Sequence, residues 1–252
     1  MHSQYIGDDN TKPTLIFLHG WCCSPQDYQL QVEYFKNNYS ILIPDYSKII
    51  VDLNLDSEQL LWECVNKLKE YIQSIKLTNF IVVGHSMGGV MALALANHFK
   101  IEQIGTVIID TAIPLSIDRR HIFSTLIKDL DTDLGKNTLS TIIDKKWINP
   151  AYDNLSLMQQ KKIEMLSMWE KSPKNFNKLL LLATQFDSTT AIKNYNGSLM
   201  YIAATPANGD IMALKEASTK LQIAEILSGH FIMQNKPNEL NNLLTQFFHN
   251  FI

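Results

Sequence analysis

The chain has 252 residues, 46% of them apolar and 19% charged, and carries a formal net charge of −3. That length suits one large α/β domain or two small ones, and so weak a charge supplies no field to draw nucleic acid or an anionic membrane. Cys22, Cys23 and Cys64 form neither a disulfide framework nor a zinc-ligand spacing, so reduced thiols in a cytoplasmic protein are expected. Met1-His2-Ser3-Gln4-Tyr5 lacks the basic and apolar stretches of a signal peptide, and no apolar run is long enough to span a bilayer. No metal or cofactor is expected.

Thr14-Leu15-Ile16-Phe17-Leu18 reads as a buried strand ending at His19-Gly20-Trp21. Ser24-Pro25-Gln26-Asp27 opens a helix, with serine as N-cap and proline at the first helical position. Ser40 to Ile43 is the next strand, closing at Pro44-Asp45. Asp56-Ser57-Glu58 opens a long helix whose apolar residues, from Leu60 to Ile72, recur at helical spacing. Phe80 to Val83 is a short β-branched run, and Val90 to Ala96 is a strong helix-forming run. Between them lies Gly84-His85-Ser86-Met87-Gly88, a G-x-S-x-G sequence. A strand before it and a helix after it turn this common pentapeptide into a nucleophile elbow, with Ser86 raised on a strained turn between two glycines. Ile104 to Ile109 is another buried strand, ending at Asp110.

The order β-α-β-α-β-α-β predicts a parallel sheet with helices on both faces. Chemistry is then expected at the carboxyl ends of the strands, where His19, Asp45, Ser86 and Asp110 all fall. Residues 114–190 break the pattern. Helices are predicted at Ile117–Leu130, Thr138–Lys146, Leu157–Lys171 and Pro173–Gln185, rich in methionine and tryptophan, with no strand among them. Such an insert between two sheet strands reads as a cap over the active-site mouth, leaving 1–113 and 191–252 as the core. The sheet resumes at Leu199–Ala203. A loop containing Asp210 follows, then a helix from Met212 to Leu221. The last strand is Ile223–Leu227, ahead of Ser228-Gly229-His230-Phe231 and a closing helix from Pro237 to Phe248.

With His19-Gly20, the elbow, the helical insert and Gly229-His230-Phe231, nearly the whole chain resembles the α/β-hydrolase superfamily. Leu18-His19-Gly20-Trp21 is similar to the small capped carboxylesterases, among them the bacterial esterases that cleave pimeloyl-acyl-carrier-protein methyl ester in biotin biosynthesis. The resemblance implies an α/β-hydrolase fold: a mostly parallel central sheet with helices on both faces and an all-helical cap. It implies a serine carboxylic-ester hydrolase, with Ser86 as nucleophile and His230 as base. The backbone N–H groups of Trp21 and Met87 would form the oxyanion hole, supported by His19, Gly20, Gly84 and Gly88. The acid stays open: Asp210 in the usual loop, Asp110 at the end of the strand after the elbow, or none. The substrate would be a small ester with an apolar acyl group, free or bound to acyl carrier protein, and Arg119 and Arg120 are candidates for docking the carrier. A thioesterase, a carbon–carbon bond hydrolase or a low-turnover binding protein would use the same fold. Two departures stand out. The leading antiparallel strands are expected to be missing or reduced, and Pro44-Asp45 runs into Tyr46-Ser47-Lys48 instead of a glycine-rich turn.

Overall fold

Seven strands form one sheet in a computed structural model that describes residues 2–7, 12–52 and 59–251. They are β1 (His2–Ile6), β2 (Thr14–Leu18), β3 (Ile41–Asp45), β4 (Phe80–His85), β5 (Gln103–Ile109), β6 (Ser198–Ala203) and β7 (Gln222–Glu225). The order across the sheet is β1-β3-β2-β4-β5-β6-β7, and every pairing is parallel except β1 with β3. One leading antiparallel strand is present, where the sequence led us to expect such strands to be missing or reduced. Its residues lack an apolar alternation, and it exists by pairing His2–Ile6 with Ile41–Asp45.

The helices are α1 (Gln29–Phe35), α2 (Ser47–Asp52), α3 (Leu60–Ser74), α4 (Met87–Ala96), α5 (Ile117–Leu130), α6 (Gly135–Ile142), α7 (Leu155–Glu170), α8 (Pro173–Gln185), α9 (Ser188–Asn194), α10 (Ile211–Ala217), α11 (Ile232–Asn235) and α12 (Pro237–Phe248). The expected start of α3 at Asp56-Ser57-Glu58 lies outside the described residues. The helix foreseen over 138–146 divides into α6 and a π-helical turn at Ile143–Trp147. Among the described residues no helix is long and apolar enough to cross a membrane.

Two apolar layers sandwich the sheet. Ile16 and Leu18 of β2 and Phe80 and Val82 of β4 join one layer, with α3, α4 and much of the helical insert. Leu15, Phe17, Ile81 and Val83 alternate into the other, against α1 and α12. Burial on both faces explains why these strands are continuous apolar runs. All ten residues of α4 are buried, as befits a helix apolar all round. α3 covers part of it, and α8 and α9 cover more.

The helices α5 to α9 lie between β5 and β6. An ion pair binds this insert to the core. The Lys161 ammonium of α7 meets the Asp27 carboxylate at 2.5 Å, in the 3-10 turn Pro25–Tyr28, with the two side chains 2% and 1% exposed. Gln234 Nε2 donates to the same carboxylate oxygen at 3.2 Å. The Tyr46-Ser47 segment also has a structural account. Asp45 accepts the Ser47 N–H and hydroxyl, starting α2, while the Tyr46 ring stacks on His19 at 3.8 Å. The three cysteines are buried and free, and burial pushes their thiols up from the ordinary value.

Candidate active site

A single residue, Ser86, joins β4 to α4. Its φ of 54° and ψ of −120° are strained for a side chain with a Cβ. Three hydrogen bonds hold it there. Its N–H donates to the Ile109 carbonyl at 2.9 Å, and its own carbonyl accepts from Gly89 N–H at 2.9 Å and Thr111 Oγ1 at 2.8 Å. The turn closes only because glycine flanks it. A Cβ on Gly84 would strike the Gly88 backbone, and one on Gly88 would strike the Leu18 carbonyl. Ser86 thus caps the N-terminus of α4, where the helix dipole favours developing negative charge.

His230 follows β7 and is nearly buried. Its Nδ1 lies 2.7 Å from Asp110 Oδ2. A carboxylate only accepts, so Nδ1 carries the proton and Nε2 keeps a lone pair able to take a proton from a hydroxyl. Asp110 occupies a tight turn at the end of β5, with φ of 42°, a conformation that aspartate tolerates better than most residues. Its Oδ1 accepts the N–H groups of Ala204 and Asn208, each at 3.1 Å, and Oδ2 accepts from Asn208 Nδ2 as well as from His230. Four donors therefore fill about all that a carboxylate can accept. Asn208 Nδ2 lies 3.1 Å from His230 Nδ1, the spacing of two donors that converge on one oxygen.

Asp210, the first candidate for the acid, is used elsewhere. Its Oδ1 accepts the Ala213 N–H at 3.0 Å and caps α10. Of the alternatives left open, the carboxylate beside His230 is Asp110. The loop after β6 offers the imidazole Asn208 in place of a carboxylate.

Other residues complete the surroundings. His85, inside the elbow, packs against His230. Its Nε2 donates to the His230 carbonyl at 2.9 Å, and the two rings lie 4.4 Å apart. Burial holds His85 well below its ordinary value of 6.5, and the neighbouring His230 adds to the effect. The loop His19-Gly20-Trp21 passes beside Ser86: a Cβ on Gly20 would sit 3.3 Å from Ser86 Cβ. His19 is buried, its Nδ1 donates to the Gly20 carbonyl at 3.0 Å, and its own carbonyl accepts the Tyr46 hydroxyl. Burial likewise lowers its pKa from 6.5. Met87 is the first residue of α4, where helical N–H groups have no intrahelical partner. Trp21 reaches into the insert, donating its indole N–H to the Phe176 carbonyl at 2.7 Å.

Arg119 and Arg120 turn inward. Arg119 donates to the Asn208 carbonyl, and Arg120 donates to the carbonyls of Leu115, Thr184 and Phe186. Nothing in the sequence points to these bonds, because a main-chain acceptor carries no residue signature.

The cavity at Ser86 is small, about 70 Å³ of space open to the centre of a water-sized sphere. Trp21, Val90, Phe123, Trp147, Met165 and Leu180 supply much of its apolar wall, and no lysine or arginine lines it. Among the described residues no three histidine, cysteine or acidic side chains converge in a group that could hold a metal.

Comparison with known proteins agrees with this architecture. The profile of the alpha/beta hydrolase family matches residues 15–243. No curated protein matches the chain in sequence. Among solved structures it is similar to the enol-lactonase of Burkholderia xenovorans LB400, at TM-score 0.80 and 12% identity over 98% of this chain and 96% of that one. A thermophilic esterase from Thermogutta terrifontis aligns at TM-score 0.78 and 14% identity, over 99% and 93% of the two chains. MenH from S. aureus aligns at TM-score 0.77 and 17% identity, over 99% and 98%. At such identities the likeness speaks for the fold.

Proposed function

The chain belongs to the alpha/beta hydrolase family, and from that premise we propose that it is a serine ester hydrolase acting through Ser86, His230 and Asp110. The observation that carries the proposal is the 2.7 Å contact between His230 Nδ1 and Asp110 Oδ2 at the mouth of the Ser86 elbow. In the proposed reaction Ser86 Oγ attacks the ester carbonyl while His230 Nε2 takes its proton. Asp110 keeps Nδ1 protonated and supports the imidazolium that forms. The N–H groups of Met87 and Trp21 receive the oxyanion. Collapse expels the alcohol, which takes the proton from His230. Water then enters, gives a proton to His230 and attacks the acyl-enzyme, and the proton returns to Ser86 as the acid leaves.

The cavity supports one substrate class over others. Its small volume, about 70 Å³, favours a short acyl group. A wall without cationic side chains favours an uncharged, apolar group. The inward-turned Arg119 and Arg120 give no support to a carrier-protein substrate, so we favour a free ester. The helices α5 to α9 act in this reading as the cap that supplies the apolar wall.

The test is hydrolysis of p-nitrophenyl esters from acetate to palmitate, with labelling of Ser86 by a fluorophosphonate. Turnover should peak at short chains, and Ser86→Ala should abolish both turnover and labelling. Wild-type rates in Ser86→Ala would refute the mechanism, and a palmitate optimum would refute the pocket argument.

A further inference from the structure

The base is held from two sides, and one of them is the helical insert. His230 follows β7, a four-residue strand at the edge of the sheet that pairs, among the described residues, with β6 alone. On the core side, Thr205 N–H donates to the Ser228 carbonyl at 2.9 Å. On the other side lies Trp147–Asp153, which connects the π-helical turn to α7. There the His230 N–H donates to the Trp147 carbonyl at 2.8 Å. Asp153 Oδ1 accepts the Gly229 N–H at 2.7 Å and the Ser228 hydroxyl at 3.2 Å. Asp153 Oδ2 accepts the Asn149 N–H at 2.8 Å, and Asn149 Nδ2 donates to the Thr205 carbonyl at 2.6 Å. The approach is so close that a Cβ on Gly229 would collide with Asp153 Oδ2 and come within 2.6 Å of the Trp147 carbonyl. The Trp147 ring also faces the imidazole, at 5.5 Å between centroids and 32° between planes.

We propose that Asp153 is a positioning residue for His230, and that with the Trp147 carbonyl it makes the placement of the base depend on the docked insert. Ser228, Gly229 and His230 each give a hydrogen bond to this one segment. The three donors to Asp153 are all uncharged groups, so its carboxylate organises the loop through main-chain and hydroxyl dipoles. An edge strand leaves the loop beyond it free to shift, and a shift of about 1 Å in a catalytic group can cost about a hundred-fold in rate. The segment therefore acts on chemistry although neither Asp153 nor Asn149 lines the cavity. The inference rests on His230 being the base of the reaction proposed above.

The test uses the full chain, with Asp153→Ala, Asp153→Asn and Ser228→Ala beside wild type. Three readouts are the rate of Ser86 labelling by a fluorophosphonate, the downfield proton resonance of His230 Nδ1–H, and kcat and KM on p-nitrophenyl butyrate. Asp153→Ala should slow labelling and kcat by about ten- to a hundred-fold and shift or broaden the Nδ1–H resonance, with KM within about two-fold of wild type. Asp153→Asn keeps an oxygen for the Gly229 N–H but turns its N–H₂ toward the Asn149 N–H, so it should recover only part of the rate. Ser228→Ala loses only the 3.2 Å bond and should fall between. Wild-type labelling and an unshifted resonance in folded Asp153→Ala would overturn the proposal. If that variant does not fold, wild-type behaviour of both Asp153→Asn and Ser228→Ala, with an unmoved resonance in each, would overturn it equally. A wild-type protein that resists labelling would refute the serine hydrolase reading instead, and the resonance would still report whether Asp153 fixes His230.

Discussion

Asp110→Asn separates the two candidate acids. The substitution puts an amide nitrogen where one carboxylate oxygen now accepts two donors. If the amide faces His230, its N–H₂ opposes the Nδ1–H at 2.7 Å and the Asn208 amide. If it faces the other way, it opposes the N–H groups of Ala204 and Asn208 at 3.1 Å. The imidazole can relieve the first conflict by moving its proton to Nε2 and accepting at Nδ1. Nε2 is then unable to take the Ser86 proton. A wrong tautomer of this kind costs about 10⁴-fold in kcat, which is about 5.4 kcal/mol of transition-state stabilisation. Asp210→Asn retains a good N-cap for α10 and should leave kcat within about two-fold of wild type. The assay is turnover of p-nitrophenyl butyrate, with circular dichroism to show that each variant is folded. A loss in Asp210→Asn as large as that in Asp110→Asn would refute the assignment. Placing the carboxylate at 208 gives a second check. Asn208 Nδ2 already stands 3.1 Å from His230 Nδ1, so Asp110→Asn with Asn208→Asp should regain part of the lost rate, measured in the same assay.

Three further outcomes can be measured. Lys161→Met leaves Asp27 buried without its cation, which should cost about 3–5 kcal/mol and lower Tm by roughly 6–20 °C for a chain of this size; calorimetry checks it, and an unchanged Tm would refute the buried-pair reading. Gly88→Ala forces a Cβ into the Leu18 carbonyl and should abolish fluorophosphonate labelling, or soluble expression altogether. Stability should fall as pH drops below 6.5, because the unfolded chain protonates His85 and His19 there while the folded chain, with both pKa values lowered by burial, does not. Each histidine contributes at most about 1.4 kcal/mol per pH unit. Thermal melts between pH 5 and 8 should show a shallower slope for His85→Gln, and the same slope would count against a neutral buried His85.

The sequence by itself determined the elements that follow from local chemistry. Short continuous apolar runs bounded by turn residues read as strands buried on both faces, so β2, β4, β5 and β6 were legible. The elbow was legible because glycines at 84 and 88, a strand before and a helix after are local requirements of one turn. His230 was legible from its place after the last strand. What local chemistry leaves undetermined, the tertiary structure decided. β1 has no pattern of its own and is defined by its partner β3. Asp110 and Asp210 both stand in loops at strand ends, and nothing nearby in sequence distinguishes them. The choice was made by the turn at Asp110 and by Asn208, some hundred residues later, whose amide and N–H hold that carboxylate. The same holds for Asp153 and Ser228, and for Lys161 and Asp27, which meet across long stretches of chain. Hydrogen bonds between distant segments depend on where the packed sheet and helices bring those segments together, and a linear sequence carries no periodicity that records it.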